Sequence, residues 1–348
     1  MSKPSDSSGP AASGTTTAVT TSSTKAESSG VPSTKHGALA AAGGSPATRR
    51  TEGGRVRVRV NKAYKMYIGG AFVRSESGRY AQVGGETDGS ADPSTVNVPR
   101  GSRKDARDAV LAAKNAHAGW AGRTAYNRGQ ILYRLAEMME SRRAELTTSL
   151  VRGGLAAQDA EREVDVAVDR AVYYAGFADK FQSLLASSNP VSGPHFGFSI
   201  PDTMGVIALV APPRPVLLGL VSTILPAVVG GNTVVVIASS EDPRTAIVFC
   251  ECLATSDLPG GVVNLITGDA AEIAPHLAKH REVAALEAFS SDAALRTTLE
   301  REATASVKRV RTSAPLDGTA WETDGVGQGL GWIERHLETK TIWHPVGM

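Results

Sequence analysis

Cysteine is scarce in this chain, with two residues, Cys250 and Cys252, among 348. Two positions apart, they are too close for an ordinary bridge and too few for a disulfide framework, which fits a reducing cytoplasm. Apolar runs of membrane length are missing too. A spanning helix needs about 18 uncharged residues, and Thr223, Asn232 and the glycines interrupt the best stretch. The first residues lack the apolar core of a secretory signal. No charge of one sign dominates: 37 Lys and Arg stand against 35 Asp and Glu, a net +2. Such a balance exerts no overall pull toward nucleic acid or membrane. The expectation is a soluble cytoplasmic protein with neither as its partner.

At 41% hydrophobic the chain can bury a large core, as one large or two ordinary domains. Residues 1–62 do not share in it. They are rich in Ser, Thr, Gly, Ala and Pro without apolar periodicity, so the sequence predicts a disordered tail. Its end is basic, with Arg49, Arg50, Arg55, Arg57, Arg59 and Lys62, followed by Lys65. The Arg/Val alternation over 55–60 suits an exposed edge strand. No aromatic residue interleaves the arginines before Tyr64, which counts against stacking on single-stranded nucleic acid.

From Tyr64 the pattern is globular. MYIGGAFVRSESGRYAQV reads as short β runs with Gly-containing turns. Ser102 with Asp105 three residues later marks a helix start. A second helix is expected from about Asn127 to Gly153, and a third from Asp159 to about Gln182, with Tyr173, Tyr174, Phe177 and Phe181 as core. Phe196, Phe198 and Ile200 alternate with smaller residues between prolines, as in an exposed strand.

The centre is Gly205 to Gly268. Continuous Val/Ile/Leu runs alternate there with helix-length segments, indicating a parallel sheet covered on both faces. Such a sheet seats nucleotides or dinucleotides at the carboxyl ends of its strands. A further strand ends near Phe289, a helix covers 291–305, and VKRVRT follows. Residues 313–331 are Gly- and Asp-rich and read as a flexible connector; 332–348 close with a turn and a terminal strand.

Three smaller motifs carry little chemistry. DGVGQGLG follows no strand and opens no βαβ unit, so it is no nucleotide fingerprint. His276 and His280 share a helix face, but no Glu lies between them and no third ligand is evident. Cys250 and Cys252 splay to different sides of a helix, which argues against metal or redox use.

The order of motifs resembles the N-terminal, cofactor-binding part of the aldehyde dehydrogenase superfamily. The residues that carry the resemblance are GVIALVAPP, LPAVVGGNTVVV, LPGGVVNLITG, ASVKRV and the closing ETKTIW. It implies a Rossmann-like sheet over 63–312, an arm strand at about 194–201 and a C-terminal oligomerisation strand. In the family a catalytic domain, bearing a cysteine nucleophile and a general-base glutamate, lies between the last two motifs. Here 313–331 replaces it, so no catalytic residue is assigned.

Alignment with the family's cofactor contacts leaves a vestige. Pro212 and Arg214 stand in the turn where the family has an oxyanion asparagine, with Arg214 at that position. Ile237 replaces the ribose-binding lysine, and Ser240 an acidic residue. Gly268 ends the third strand, and Phe289-Ser290-Ser291-Asp292 replaces a Phe-Thr-Gly-Ser turn at the pyrophosphate. Ser291 restricts close backbone approach there, and Asp292 adds a negative charge. The resemblance therefore implies a pseudoenzyme without cofactor, retaining NAD or NADP only if the pocket persists. Its expected partner is a full-length aldehyde dehydrogenase, held through strands 194–201 and 338–346. The alternatives are an NAD(P)-dependent aldehyde oxidoreductase with a residual or shared site, or a degenerate product without function.

Overall fold

The computed structural model describes residues 62–84 and 95–347, with the main chain of two short strands before them. These are β1 (Arg49–Arg50) and β2 (Val56–Arg57), paired antiparallel. The remainder of the expected tail lies outside the described residues.

β3 (Met66–Ile68) and β4 (Ala71–Val73) form a hairpin through Gly69 and Gly70, both at positive φ. Gly260 packs on that turn so closely that a Cβ on it would sit 2.7 Å from the Gly69 carbonyl oxygen, and one on Gly70 would sit 2.8 Å from the Gly260 Cα, so Gly70 and Gly260 must be glycine. β5 (Tyr80–Val83) pairs with β6 (Val96–Pro99). α1 (Arg103–Ala121) begins with the expected capping box of Ser102 and Asp105.

The second expected helix is two: α2 (Ala125–Ser141) and α3 (Arg143–Arg152). The break lies at Arg142, which pairs with Glu145 and Glu251. The third is also divided, into α4 (Ala157–Phe177) and α5 (Phe181–Leu185), with Tyr174 and Phe181 buried as expected. β7 (Ser187–Asn189) and β8 (His195–Thr203) follow.

The expected alternation of strands and helices is then realised: β9 (Val206–Val210), α6 (Val216–Val229), β10 (Thr233–Ile237), α7 (Pro243–Ala254), β11 (Val263–Ile266), α8 (Ala270–Lys279), β12 (Val283–Phe289), α9 (Ala293–Ala303) and β13 (Arg309–Ser313). Every residue of β9, β10 and β11 is buried, as strands covered on both faces must be. The sheet runs β13-β12-β9-β10-β11-β3-β4, with β9 to β13 parallel and the hairpin added antiparallel. Residues of α1, α8 and α9 cover one face. Those of α6 and α7, backed by α2, α3 and α4, cover the other. Cys250 and Cys252 of α7 are both fully buried.

After β13 the structure departs from expectation. In place of a flexible connector, residues 313–331 hold a 3-10 turn at Gly318–Glu322 and lead directly into α10 (Leu330–Glu334). Trp321 and Trp332 are buried against Phe289 of β12, with ring centroids 5.3 and 6.1 Å away. They cover the side of β12 on which Ala285, Glu287 and Phe289 lie, which would otherwise meet water. The fully buried Arg170 of α4 fastens the segment by donating to the carbonyls of Trp321 (2.7 Å) and Gly327 and to the Ser222 hydroxyl. A Cβ on Gly327 would collide with the Trp321 carbonyl, so this tight crossing needs glycine.

β14 (Leu337–Pro345) pairs antiparallel with β8 over nine positions, and β7 flanks β8 on its far edge. Register puts Phe196, Phe198, Ile200 and Ile342 on one face of this three-stranded arm. Phe196 is 50% and, on the other face, Trp343 62% exposed. Among the described residues no helix is long and apolar enough to cross a membrane.

Candidate functional site

Strand register aligns Val210, Ile237, Ile266 and Ala288 in one row across β9, β10, β11 and β12. The residues just beyond share the carboxyl edge of the sheet: Pro212 and Arg214, Ser240, Gly268, and Ser290 and Ser291. The chain leaves β9 toward β10 and returns on the other side of β9 as β12, so the topology reverses between β9 and β12. In an open parallel sheet this is where a ligand binds, its anionic part against a helix N-terminus. Sequence reasoning thus brings its candidate residues to one edge.

Their individual chemistry differs from what a dinucleotide requires. Ile237 is fully buried in the core, so no polar group replaces the expected lysine. Arg214 points to solvent, donates to the Gly153 carbonyl (3.2 Å) and lies 3.8 Å from Glu241. Pro212 is buried against Gly219 of α6, where an added Cβ would meet its ring at 2.4 Å. Ser240 and Ser291 are exposed. Gly268 sits at φ +135° close to Gly101 and the Ile273 side chain, a conformation that serves packing.

Sequence reasoning missed Glu163, the residue that most changes this edge. It lies on α4, is 6% exposed, and accepts from the main-chain N–H of Leu217 (2.7 Å) and of Leu218 (3.1 Å). Its carboxylate therefore caps α6, whose N-terminal residues supply no side-chain cap of their own. Burial pushes this carboxyl above its usual range, an effect the two backbone bonds and nearby Arg214 only partly offset. No local signal in the sequence joins positions 163 and 217.

The second helix at the crevice, α9, is capped likewise. Asp292 accepts from Ala294 (2.8 Å) and Leu295 (3.2 Å). At both helix N-termini beside the topological reversal, main-chain donors that could bind a pyrophosphate thus already serve a carboxylate of the chain. A phosphate there would meet a negative charge. The residues present do not fit the dinucleotide that the architecture implies.

A buried charged cluster lies further back on β12. Glu287 receives Arg335 at 2.7 Å, and its second oxygen lies 3.1 Å from His336 Nε2. Burial alone would raise the Glu287 carboxyl, but His336 and then Arg335 outweigh it and hold it below the usual range. Arg335 also stacks over Trp332 at 3.9 Å. The cluster joins α10 to the sheet. Elsewhere, His276 and His280 have no third ligand: among the described residues no group of three or more His, Cys, Asp or Glu is placed to hold a metal.

Comparison with known proteins matches residues 86–315 to the model of the aldehyde dehydrogenase family. D-glyceraldehyde dehydrogenase (NADP(+)) of Thermoplasma acidophilum is 30% identical over 224 residues, 63% of this chain and 44% of that protein. Human cytosolic 10-formyltetrahydrofolate dehydrogenase is 28% identical over 72% of this chain and 28% of its own length. Among solved structures, PnpE from Pseudomonas sp. WBC-3 superposes with a TM-score of 0.67 at 27% identity, covering 73% of this chain and 51% of PnpE. Lactaldehyde dehydrogenase from Escherichia coli gives 0.66 at 25%, covering 72% and 52%. The chain spans about half the length of these solved relatives, and less of the two curated ones. With its Rossmann-like sheet and these matches, the chain belongs to the aldehyde dehydrogenase family.

Proposed function

We propose that this chain is a pseudoenzyme: a non-catalytic structural or regulatory subunit that assembles with a full-length aldehyde dehydrogenase and binds no NAD or NADP. The observation that carries this reading is the seal on β12. Trp321 and Trp332, fastened by Arg170, occupy the sheet face beside the crevice, and 313–331 leaves too little chain for a catalytic domain. The capped helices α6 and α9 support the absence of cofactor. The arm supports assembly, because β14 offers a nine-residue edge and Phe196 and Trp343 expose apolar surface that a partner would cover.

The related PnpE is known in complex with nicotinamide adenine dinucleotide, so cofactor binding is the property to measure. Calorimetric titration of the chain with NAD and with NADP should give no heat of binding. Co-expression with a full-length family member should give a complex that survives size exclusion. Micromolar dinucleotide binding by the chain alone would favour the oxidoreductase reading, and failure to assemble with such relatives would remove the subunit role.

A further inference from the structure

Lys308 differs from six of the other lysines of the fold. Lys62, Lys104, Lys114, Lys180, Lys279 and Lys340 each lie within 4 Å of a carboxylate. Lys308 has no such partner among the described residues. Its half-buried ammonium donates to a single acceptor, the His280 carbonyl at the end of α8, at 2.7 Å. An ammonium carries three donors and gains little from one neutral oxygen once water is displaced. The preceding residue, Val307, is 98% exposed and left-handed at φ 42° and ψ 48°, a strained conformation for a β-branched side chain. That bend opens to solvent beside the amine, and the buried Ser306 hydroxyl just before it has no partner among the described residues.

The surrounding charges do not restore the ammonium. Glu282, the nearest acid along the chain from His280, is paired with Lys114 of α1 at 2.8 Å. The His280 ring is pushed below its usual range by burial first and by Lys308 next, and its Nδ1 accepts from the Glu282 N–H. Burial also brings the Lys308 amine down to about 8. At pH 7 about 10% of such an amine is free base, against about 0.04% of an ordinary lysine.

We propose that Lys308 is a carbonyl-reactive amine that takes small aldehydes as a covalent imine. The Nζ lone pair forms a bond to the carbonyl carbon while the oxygen gains a proton. The carbinolamine then loses water, the nitrogen proton leaving with the hydroxyl, and a C=N bond remains. No oxidant or reductant is consumed, and water reverses the step. The proposal is independent of whether the chain is a subunit of a larger assembly.

The test is reductive trapping on the full chain with propanal and cyanoborohydride at pH 7, followed by peptide mass mapping. Lys308 should be alkylated roughly tenfold or more faster than exposed Lys104, Lys180 and Lys340, with a rate that is half-maximal near pH 8. K308R should remove that adduct and leave the other sites unchanged. Labelling of Lys308 no faster than these lysines, or a rate that climbs only near pH 10, would overturn the proposal.

Discussion

The guanidinium of Arg170 reaches the main-chain carbonyl of Trp321 at 2.7 Å, joining positions 151 apart in sequence. One side chain thereby turns a Gly-rich connector into part of the core. Replacing Arg170 with Met removes this fastening and leaves three acceptors to find other donors. We expect a loss of about 3 kcal/mol in urea unfolding. Fluorescence of Trp321 should shift to the red, and protease should cut within 313–331 before it cuts elsewhere.

Glu163 predicts an unusual pH dependence. Its carboxyl is raised in the folded state, so the folded chain holds this proton more tightly than the unfolded chain. The stabilisation from that proton is present below the ordinary glutamate range and is lost as pH rises through the raised value. Glu163→Gln keeps an acceptor for Leu217 and Leu218 and should flatten this slope with little loss of stability. Glu163→Ala leaves two buried N–H groups unpaired and should cost about 1–3 kcal/mol. Chemical unfolding across pH 4 to 8 separates the two.

The Glu287 cluster runs in the opposite sense. Here the folded carboxyl is depressed, so its contribution is present above the ordinary glutamate range and lost as pH falls through the lowered value. Glu287→Gln breaks a buried pair and should cost about 3–5 kcal/mol at neutral pH. The variant's stability should then fall less than the parent's on acidification, as measured by thermal unfolding from pH 7 to 3.

Phe196 and Trp343 are exposed, so Phe196→Ser with Trp343→Ser should alter the isolated chain's stability by no more than about 0.5 kcal/mol per site. If the arm is the assembly surface, the same double variant should no longer co-elute with a full-length family member. A variant that is stable and still assembles would place the contact elsewhere.

The parallel sheet was legible in the sequence because its strands are short β-branched runs that stay buried whatever their neighbours. Ser102 and Asp105 were legible because a capping box is local. What escaped was tertiary. Glu163 caps a helix through the N–H of Leu217, 54 positions later. The segment around Trp321 has the composition of a loop, and its order comes from Arg170 and Phe289, far away in sequence. The break at Arg142 likewise depends on Glu251, 109 positions on. Arg214, conspicuous in its proline-rich turn, proves to be a solvent-facing residue held by Gly153.

Ser199 of β8 and Thr341 of β14 share a 2.8 Å hydrogen bond across 142 positions. Closing a loop of that length costs about 4 kcal/mol before any contact rewards it. β7 and β8 alone make a two-stranded ribbon, marginal in water, so the arm sets late, after the parallel sheet has already formed. In hydrogen exchange it should open as a separate cooperative unit while β9 and β10 stay protected. During that interval Phe196 and Phe198 are bare, giving a period, bounded by the arrival of β14, in which another chain's strand can compete for the same edge.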